Sequence, residues 1–484
     1  MRLVYHLPRI LYNSSHTDMG ATTIIFRKHA ILFLSIAIFT ANILIRLPNL
    51  SFPNYPVFDE VHFATYATAY ANREAHLDIH PPLGKMLYSL PLLFSPRAGY
   101  ERTSYIDYDF AGKGVSVPPS PYGTFPYFAL RLFSAFFGGL LAVAVFLFTK
   151  ELAKSVAPAL IAAAFLTLEN SIILETKLIL LNGFFLAFGF LGLYLLLKNK
   201  GAWAGFSLGL AVSVKLLAGI FGIIGVVLAS IFKKNEFKKS VSFVLIAIAT
   251  FFAFAVVVDN IWVPTREKGE LLEKAVFKPL RENPEWQAAV SKNPDTSYIS
   301  ALPKNVTEFI TVAGTQALFS FGGYTVFGEG PPAAESAWYT WPLMAGSFAY
   351  YFEFGDATRP ALVLMGNPIV WGFSTGGIVI GVKKLLEKKR RAKKSGRAEA
   401  KGAVEFLVFS YFAYLALFLL LVRRDAFLYH YFPALILGIV LFSLLFWEFV
   451  REKSPRARRL WYSGAAFLAI LGFISAAPFT YGLF

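Results

Sequence analysis

The sequence predicts an all-α protein that crosses a membrane many times. Hydrophobic residues make up 56% of the 484 residues, Phe alone occurs 50 times, and the mean hydropathy is +0.54. These values lie far above those of soluble globular proteins. Apolar runs of helical length recur along the chain between polar or basic stretches. We therefore expect a bundle of about 11 transmembrane helices with two long external loops.

Eleven apolar segments are long enough to cross a bilayer or nearly so. They cover residues 30–45, 127–148, 156–174, 178–197, 202–214, 216–231, 241–262, 361–382, 403–422, 426–447 and 460–480. Several are shorter than the ~20 residues that a full span needs, the pair within 202–231 among them. Residues 1–29 are polar and basic, and no small-residue cleavage site follows the first apolar run. This pattern favours a retained membrane anchor over a cleaved signal peptide.

The positions of Lys and Arg indicate the orientation of the chain. With a cytosolic N-terminus, the inner loops are 1–29, 149–155, 198–201, 232–240, 383–402 and 448–459. They hold 27 of the 46 basic residues, as the positive-inside rule requires, and the C-terminus is then external. The loop 383–402 alone carries ten, which favours a topology anchor that contacts anionic lipid over a nucleic-acid site. The net charge of +16 therefore predicts a membrane lipid partner and no nucleic acid partner.

The same topology places two long loops outside, 46–126 and 263–360, within one membrane domain that covers 30–484. In the second loop, apolar residues at helical spacing predict an amphipathic interfacial helix over 303–321. Aromatic residues cluster before the eighth span: Trp338, Tyr339, Trp341, Tyr350 and Tyr351. Such a cluster is typical of an interfacial aromatic belt, and the alternative is a wall that binds sugar or acceptor. The chain shows no internal repeat at a fixed period, which argues against an inverted-repeat transporter.

The first external loop carries adjacent carboxylates, Asp59 and Glu60, in the stretch FDEVHF. Asp59 is the better candidate for a general base, because flanking apolar residues would hold it rigidly and partial burial would raise its pKa. Glu60 would point in another direction and is expected to orient Asp59 or to act as a ligand. The alternative is structural, since Asp is a common N-cap residue at the start of a helix.

A stiff turn follows at His80, Pro81 and Pro82, because each Pro fixes its own φ and restricts the residue before it. The turn is expected to present His80 or Lys85 beside Asp59. A divalent cation is possible here, with ligands from His62, His76, His80, Asp59, Glu60 and Asp78. Their spacing matches no zinc pattern, and the chain has no Cys, which excludes disulfides and thiolate metal sites.

Five cations fall on the outer side in this topology: Arg131, Lys177, Lys215, Arg423 and Arg424. Each of them taken alone is expected to extend its charge to the lipid headgroups. Converging cations would instead suit a phosphate, because Arg offers a fork of donors and Lys a point charge. We expect Arg131, Lys215, Arg423 and Arg424 to bind the phosphate of a lipid-linked donor.

Seven stretches resemble the protein O-mannosyltransferases, glycosyltransferase family 39 of the GT-C superfold. FDEVHF at 58–63 and DIHPPLGK at 78–85 are close and specific matches. The others follow in the family's order at 127–132, 209–215, 339–343, 366–371 and 427–434. The resemblance covers about residues 50–440, and it agrees with a topology of eleven spans.

The resemblance implies an enzyme that transfers mannose from a polyprenyl or dolichyl phosphate to a Ser or Thr hydroxyl of an exported protein. It implies that Asp59 is the catalytic base, with Glu60 beside it and Arg131 in contact with the lipid phosphate. The reaction would be inverting, so one base on the acceptor side suffices, unlike the carboxylate pair of glycoside hydrolysis. The residues expected to position substrate are His62, His80, Pro81, Pro82, Lys85, Tyr429 and His430.

The chain departs from the family pattern in two places. Asn182 stands where relatives often have Asp, and the 263–360 loop is too short for the MIR insert of eukaryotic members. The second departure favours a prokaryotic enzyme in the cell membrane; a eukaryotic member would lie in the endoplasmic reticulum membrane. One alternative is another GT-C enzyme with a lipid or glycan acceptor. The other is a carrier of lipid-linked sugar, which would have no use for an aimed Asp59.

Overall fold

The computed structural model describes residues 21–76, 78, 80–94, 107–108, 114–115, 121–232, 237–263, 336–352, 361–395, 402–421 and 427–483. The predicted amphipathic helix at 303–321 and the predicted phosphate ligands Arg423 and Arg424 lie outside these residues.

Helices dominate the described chain. In chain order they are α1 (Ala21–Arg46), α2 (Glu60–Asn72), α3 (Leu83–Leu93), α4 (Tyr127–Ala153), α5 (Val156–Thr167), α6 (Asn170–Glu175), α7 (Asn182–Leu197), α8 (Gly201–Val214), α9 (Gly219–Phe232), α10 (Phe237–Phe252), α11 (Asp259–Trp262), α12 (Pro368–Ser395), α13 (Ala403–Leu421), α14 (Phe432–Arg451) and α15 (Pro455–Tyr481). Short 3₁₀ helices cover Leu216–Ala218, Trp338–Leu343 and Leu428–Tyr431, and a π-helix covers Ala253–Val258.

Two small antiparallel hairpins complete the described structure. Strand β1 (Asp107–Tyr108) pairs with β2 (Gly114–Val115), and β3 (Phe348–Phe352) pairs with β4 (Ala361–Leu364). An irregularity between Ala349 and Tyr351 shifts the register of the second pair. The expectation of an all-α chain therefore holds for the bundle, and the segments predicted to be external add two two-stranded sheets that the sequence analysis did not predict.

Each of the eleven predicted segments contains an apolar helix. Among the described residues, five helices are long and apolar enough to cross a membrane: His29–Arg46, Tyr127–Ala153, Pro368–Arg391, Leu428–Arg451 and Pro455–Tyr481. The shorter apolar helices have 10–17 residues and correspond to the other six segments. The helix is interrupted between Thr167 and Asn170 and again at Lys215. The apolar composition of these regions had predicted one continuous segment in the first case and two nearly adjoining segments in the second. The multi-pass membrane character is thus confirmed, and the number of full crossings stays a prediction.

The bundle has two distinct ends, which α4 defines. It packs against α1, α5 and α7, and its 27 residues make it about 40 Å long. Arg131 lies in its second turn, and Glu151 lies in its last turn. The first external loop, the 3₁₀ helix Leu428–Tyr431 and the C-terminal end of α15 gather around the Arg131 end. Segments predicted to be external therefore meet at one end of the bundle.

Candidate active site

Phe58 and Asp59 lie in the connection that leads into α2. Phe58 has a φ of 51°, which is unfavourable for a residue with a bulky side chain. Its ring stacks on Tyr350 at 4.5 Å between centroids and also contacts Tyr429 at 6.0 Å. Packing of this kind can hold a backbone conformation that costs about 1–3 kcal/mol, and such strain is concentrated at functional sites.

Asp59 occupies the N-cap position of α2, but its side chain makes no capping hydrogen bond. The structural alternative from the sequence therefore holds for the position of Asp59, but the carboxylate does not act as the capping group. Within the described residues, no donor is hydrogen-bonded to this partly buried carboxylate. Burial raises the pKa of Asp59, while the nearby charges of His62 and Lys215 oppose the rise. Its backbone at the start of α2 thus fixes the position of the carboxylate.

Glu60 points away from Asp59 and forms a buried ion pair with Arg131. Arg131 Nε donates to Glu60 Oε1 at 2.8 Å and Nη2 to Oε2 at 2.7 Å, and both side chains are fully buried. The remaining guanidinium N–H groups donate to the carbonyls of Leu50, Pro53 and Tyr55. Glu60 also accepts hydrogen bonds from the backbone N–H groups of Val57 and Ile179.

This geometry corrects the expected role of Arg131. The contacts with Glu60 and the three carbonyls engage all five N–H groups of the guanidinium, so within the protein no donor remains for a lipid phosphate. Arg131 instead ties the loop that carries Asp59 to α4. The expectation that Glu60 orients its neighbour fits this arrangement, because Glu60 is the link between Arg131 and the start of α2.

The stiff turn at His80–Pro82 also forms a charged contact, and Lys85 is at its centre. Lys85 Nζ donates to Asp78 Oδ2 at 2.6 Å and to the His80 carbonyl at 2.5 Å, and both charged side chains are buried. Burial alone would raise the pKa of Asp78, but the Lys85 ammonium and His80 outweigh it, and the net shift is downward. Burial lowers the pKa of His80 to about 3, so this imidazole is neutral at physiological pH.

Pro81 and Pro82 place this turn at the start of α3, where Pro82 is the N-cap residue. Gly84 lets α3 approach the bundle closely, because a Cβ there would lie 2.6 Å from Leu181 and 3.1 Å from Val214. These two neighbours directly precede Asn182 and Lys215 in the chain. The turn is therefore packed against the segments that carry the next charged group.

Lys215 lies between α8 and the following 3₁₀ helix. Its Nζ donates to Asn182 Oδ1 at 3.2 Å, and it lies 4.8 Å from the centroid of the Tyr429 ring. In the described part of the chain this is its one hydrogen bond, so two of the three ammonium donors remain for a ligand. Lys215 is close enough to Asp59 for their charges to interact.

The segment around Tyr429 and His430 forms an aromatic wall beside Lys215. His430 Nδ1 accepts a hydrogen bond from the Phe427 N–H at 3.0 Å, and its ring lies 4.4 Å from that of Tyr429. The aromatic cluster that the sequence suggested as an interfacial belt contains both exposed and buried side chains. Tyr339 is 68% exposed, whereas Trp341 and Tyr350 are buried in the protein. Tyr350 thus fits the alternative interpretation, a wall of the site.

The sequence analysis missed one buried carboxylate close to this site, that of Glu175 at the end of α6. It accepts hydrogen bonds from Tyr350 and from Asn182 and is 1% exposed. Burial raises the pKa of Glu175 to about 7. A single Glu at the end of an apolar run carries no motif, and Asn182 beside it was noted only as a departure from the family pattern.

No cluster of three His, Asp or Glu side chains that could hold a metal ion occurs within the described residues. Two of the candidate ligands have other partners, since Asp78 pairs with Lys85 and Glu60 with Arg131. The divalent cation considered from the sequence therefore has no ligand set in the part of the chain that the structure describes.

Two family models match this chain. One, described as dolichyl-phosphate-mannose-protein mannosyltransferase, matches residues 36–263, and one described as the C-terminal four-transmembrane region of protein O-mannosyltransferase matches residues 327–484. Dolichyl-phosphate-mannose–protein mannosyltransferase 1 of Saccharomyces cerevisiae is 33% identical over 183 residues, which are 37% of this chain and 21% of that protein. Protein O-mannosyl-transferase 2 of Danio rerio is 32% identical over 154 residues, 32% of this chain and 19% of that protein. The alignments thus span about a fifth of these relatives.

Solved structures share the fold over most of the chain. The S. cerevisiae protein O-mannosyltransferase Pmt1-Pmt2 complex bound to the sugar donor has a TM-score of 0.69 at 16% identity, and the match covers 94% of this chain and 90% of that one. The Archaeoglobus fulgidus oligosaccharyltransferase AglB, in complex with an inhibitory peptide and a dolichol-phosphate, has a TM-score of 0.52 at 14% identity, over 94% and 56%. At these identities the likeness concerns the fold.

Proposed function

The chain belongs to the protein O-mannosyltransferase family, and from this premise we propose that it transfers mannose from a polyprenyl- or dolichyl-phosphate carrier to Ser or Thr hydroxyls of exported proteins. The observation that supports this best is that Asp59 and Lys215 lie near each other and have complementary properties. Asp59 is a partly buried carboxylate without a hydrogen-bond donor in the described residues, and Lys215 nearby has ammonium donors to spare. One can take a proton, and the other can hold an anion.

Each group has one role in the reaction. The acceptor hydroxyl loses its proton to Asp59 while its oxygen forms a bond to the anomeric carbon of mannose. The bond from that carbon to the phosphate oxygen breaks, and its electron pair stays on the phosphate, so the carrier leaves with one more negative charge. Lys215 is placed to stabilise that charge as it develops. Attack opposite the leaving phosphate would make the reaction inverting.

Lys215 takes over the phosphate role in this proposal, because Arg131 has no free donor within the protein. Arg423 and Arg424 remain predicted phosphate ligands and lie outside the described residues. His80 contributes a neutral imidazole near Lys215, Tyr429 contributes the ring beside the Lys215 ammonium group, and His430 packs against Tyr429. We expect Lys215→Ala to weaken donor binding by about 2–5 kcal/mol, as expected for a desolvated charge that loses its partner.

The test is a transfer assay with purified protein in detergent, polyprenyl-phosphate-mannose and a peptide that contains Ser and Thr. We expect mannosylated peptide from the wild type, strongly reduced product from Lys215→Ala, and normal product from Lys384→Ala, which removes a cation at the other end of the bundle. The same donor offered with a lipid or glycan acceptor tests the other GT-C class. Transfer to those acceptors alone would replace the proposed acceptor, and no transfer to any would overturn the proposal.

We also propose that Asp59 and Lys215 face the outside of the cell membrane, with the N-terminus cytosolic and the C-terminus external. The chain has no Cys, so single introduced thiols can be labelled without background. A thiol at the exposed position Glu74 should react with an impermeant reagent in intact cells, and one at the exposed position Arg456 should react only after lysis. The opposite pattern would place the reaction in the cytosol.

A further inference from the structure

A chain of buried hydrogen bonds connects Lys215 to a tyrosine of the external sheet. Lys215 Nζ donates to Asn182 Oδ1 at 3.2 Å, and Asn182 Nδ2 donates to Glu175 Oε2 at 2.8 Å. Tyr350 then donates its hydroxyl to Glu175 Oε1. The four residues come from the end of α8, the start of α7, the end of α6 and β3, and each is at most 8% exposed. Four elements are therefore tied together at one carboxylate.

The order of donors and acceptors in this series of hydrogen bonds links the negative charge of Glu175 to the positive charge of Lys215. A buried carboxylate is costly without an opposite charge, and Lys215 is the cation whose charge favours ionised Glu175, while Asp59 opposes it. The Asn182 amide stands between the two charges. Its oxygen can only accept from the ammonium, and its NH₂ group can only donate to the carboxylate. The carboxylate thus stabilises the Lys215 charge through Asn182, and Asn182 occupies one of the three ammonium donors.

Tyr350 extends the same chain to the proposed base. Its ring stacks on Phe58 with an angle of 11° between planes, and Phe58 directly precedes Asp59. Glu175 is therefore linked to two groups. One oxygen is linked through Tyr350 to Phe58, next to the proposed base, and the other is linked through Asn182 to the Lys215 ammonium. A shift of β3 or of the start of α7 would break one of the two hydrogen bonds of Glu175.

We propose that Glu175 is a positioning residue, which through Asn182 holds the Lys215 ammonium in place with two donors free for a phosphate. This inference rests on the proposed function, and its chemistry is the recognition of a polyprenyl phosphate. Loss of the Glu175 charge should weaken phosphate binding about tenfold, the effect expected from one weakened charge-assisted hydrogen bond. The loss should require Lys215, because Glu175 does not contact the phosphate itself.

A double-mutant cycle on polyprenyl phosphate binding tests this in the purified full chain. The variants are Glu175→Gln, Lys215→Ala and the double substitution. Kd for polyprenyl phosphate is measured at about pH 8, where a carboxyl group with a pKa of about 7 is ionised. We expect Glu175→Gln to weaken binding about tenfold in the wild-type background and to have no further effect in Lys215→Ala. Glu175→Asp keeps the charge and should recover part of the affinity. Equal losses in both backgrounds, or no loss in either, would overturn the inference.

Two controls keep the outcomes distinct. If Glu175→Gln does not yield folded protein, Asn182→Ala breaks the same chain and is used in its place in the cycle. Because the probe is the phosphate carrier without sugar, the inference is tested even if the protein transfers no mannose. Binding with the expected cycle but without mannosyl transfer would overturn the proposed function alone, and absence of binding by the wild type would overturn both.

Discussion

Both ends of the helical bundle contain ion pairs, but the two ends differ in how far those pairs are buried. At the end that carries Asp59, the ion pairs of Arg131 with Glu60 and of Lys85 with Asp78 are almost completely buried. At the other end, Lys384 and Glu448 pair at 2.8 Å while 47% and 36% of their side chains stay exposed. Buried pairs are costly to disrupt, whereas exposed pairs contribute little. We infer that the buried ion pairs hold the segments around Asp59 in fixed positions, and that the exposed pair of Lys384 and Glu448 does not hold its helices in the same way.

This difference matches the chemistry expected of each end. A base and a phosphate ligand must be held in place, and the supporting charges at the Asp59 end are engaged in contacts from several elements. The exposed end carries the basic residues that orient a membrane protein, and Glu151 there is shared among Lys150, Lys154 and Lys198. Glu151 itself is buried, but the three lysine side chains are 31%, 71% and 42% exposed, so each can leave the pair without moving a helix.

The largest effect is expected from Asp59→Asn at the buried end. The Asn side chain keeps the size and shape of Asp but cannot accept the acceptor's proton. Transfer should fall by roughly 10²- to 10⁴-fold, the range typical of losing a general base, while the Kd for polyprenyl phosphate changes little. The measurement is kcat in the peptide assay beside the binding constant. Near-normal turnover would show that another group takes the proton.

The next effect concerns stability and the Glu60–Arg131 pair. Arg131→Ala leaves the Glu60 carboxylate buried without its partner and three carbonyls without their donors, so unfolding should become easier by about 3–5 kcal/mol. We expect a clear fall in the thermal unfolding midpoint in detergent. If Arg131 were instead a lipid-phosphate ligand, the midpoint would stay near the wild-type value and only donor affinity would fall.

The sequence was enough to predict the helical bundle and to propose a catalytic loop, but it did not identify the partners of the charges. Apolar runs predicted the helices, and the motifs around Asp59 and Lys85 pointed to the end of the bundle where the proposed site lies. The partner of Arg131 is 71 positions away in the chain, and a guanidinium suits a carboxylate as well as it suits a phosphate. Only the fold decides between them. Glu175 was missed for the same reason, since its partners lie on other elements.

The third prediction concerns the pH dependence of the base. Asp59 must be ionised to act, so kcat/KM should fall as the pH drops through its pKa, and burial places that pKa above the ordinary value of 3.8. The charge of His62 lowers the pKa of Asp59, so removal of that charge in His62→Gln should move the acid limb to higher pH. Profiles of kcat/KM for both proteins provide the check. A limb that moves to lower pH would show that the titrating group is not Asp59.

The smallest effect is expected at the exposed end, from Lys384→Ala. This substitution breaks the pair with Glu448, but both groups remain in contact with solvent, so the loss of stability should be about 0.2–1 kcal/mol. Transfer activity and the affinity for polyprenyl phosphate should not change, because Lys384 lies in the second half of α12, away from Asp59 and Lys215. The measurements are the thermal midpoint and the peptide assay, both beside Arg131→Ala. A loss comparable to that of Arg131→Ala would remove the distinction between the two ends, since a solvated pair would then be fixing geometry as firmly as a buried one.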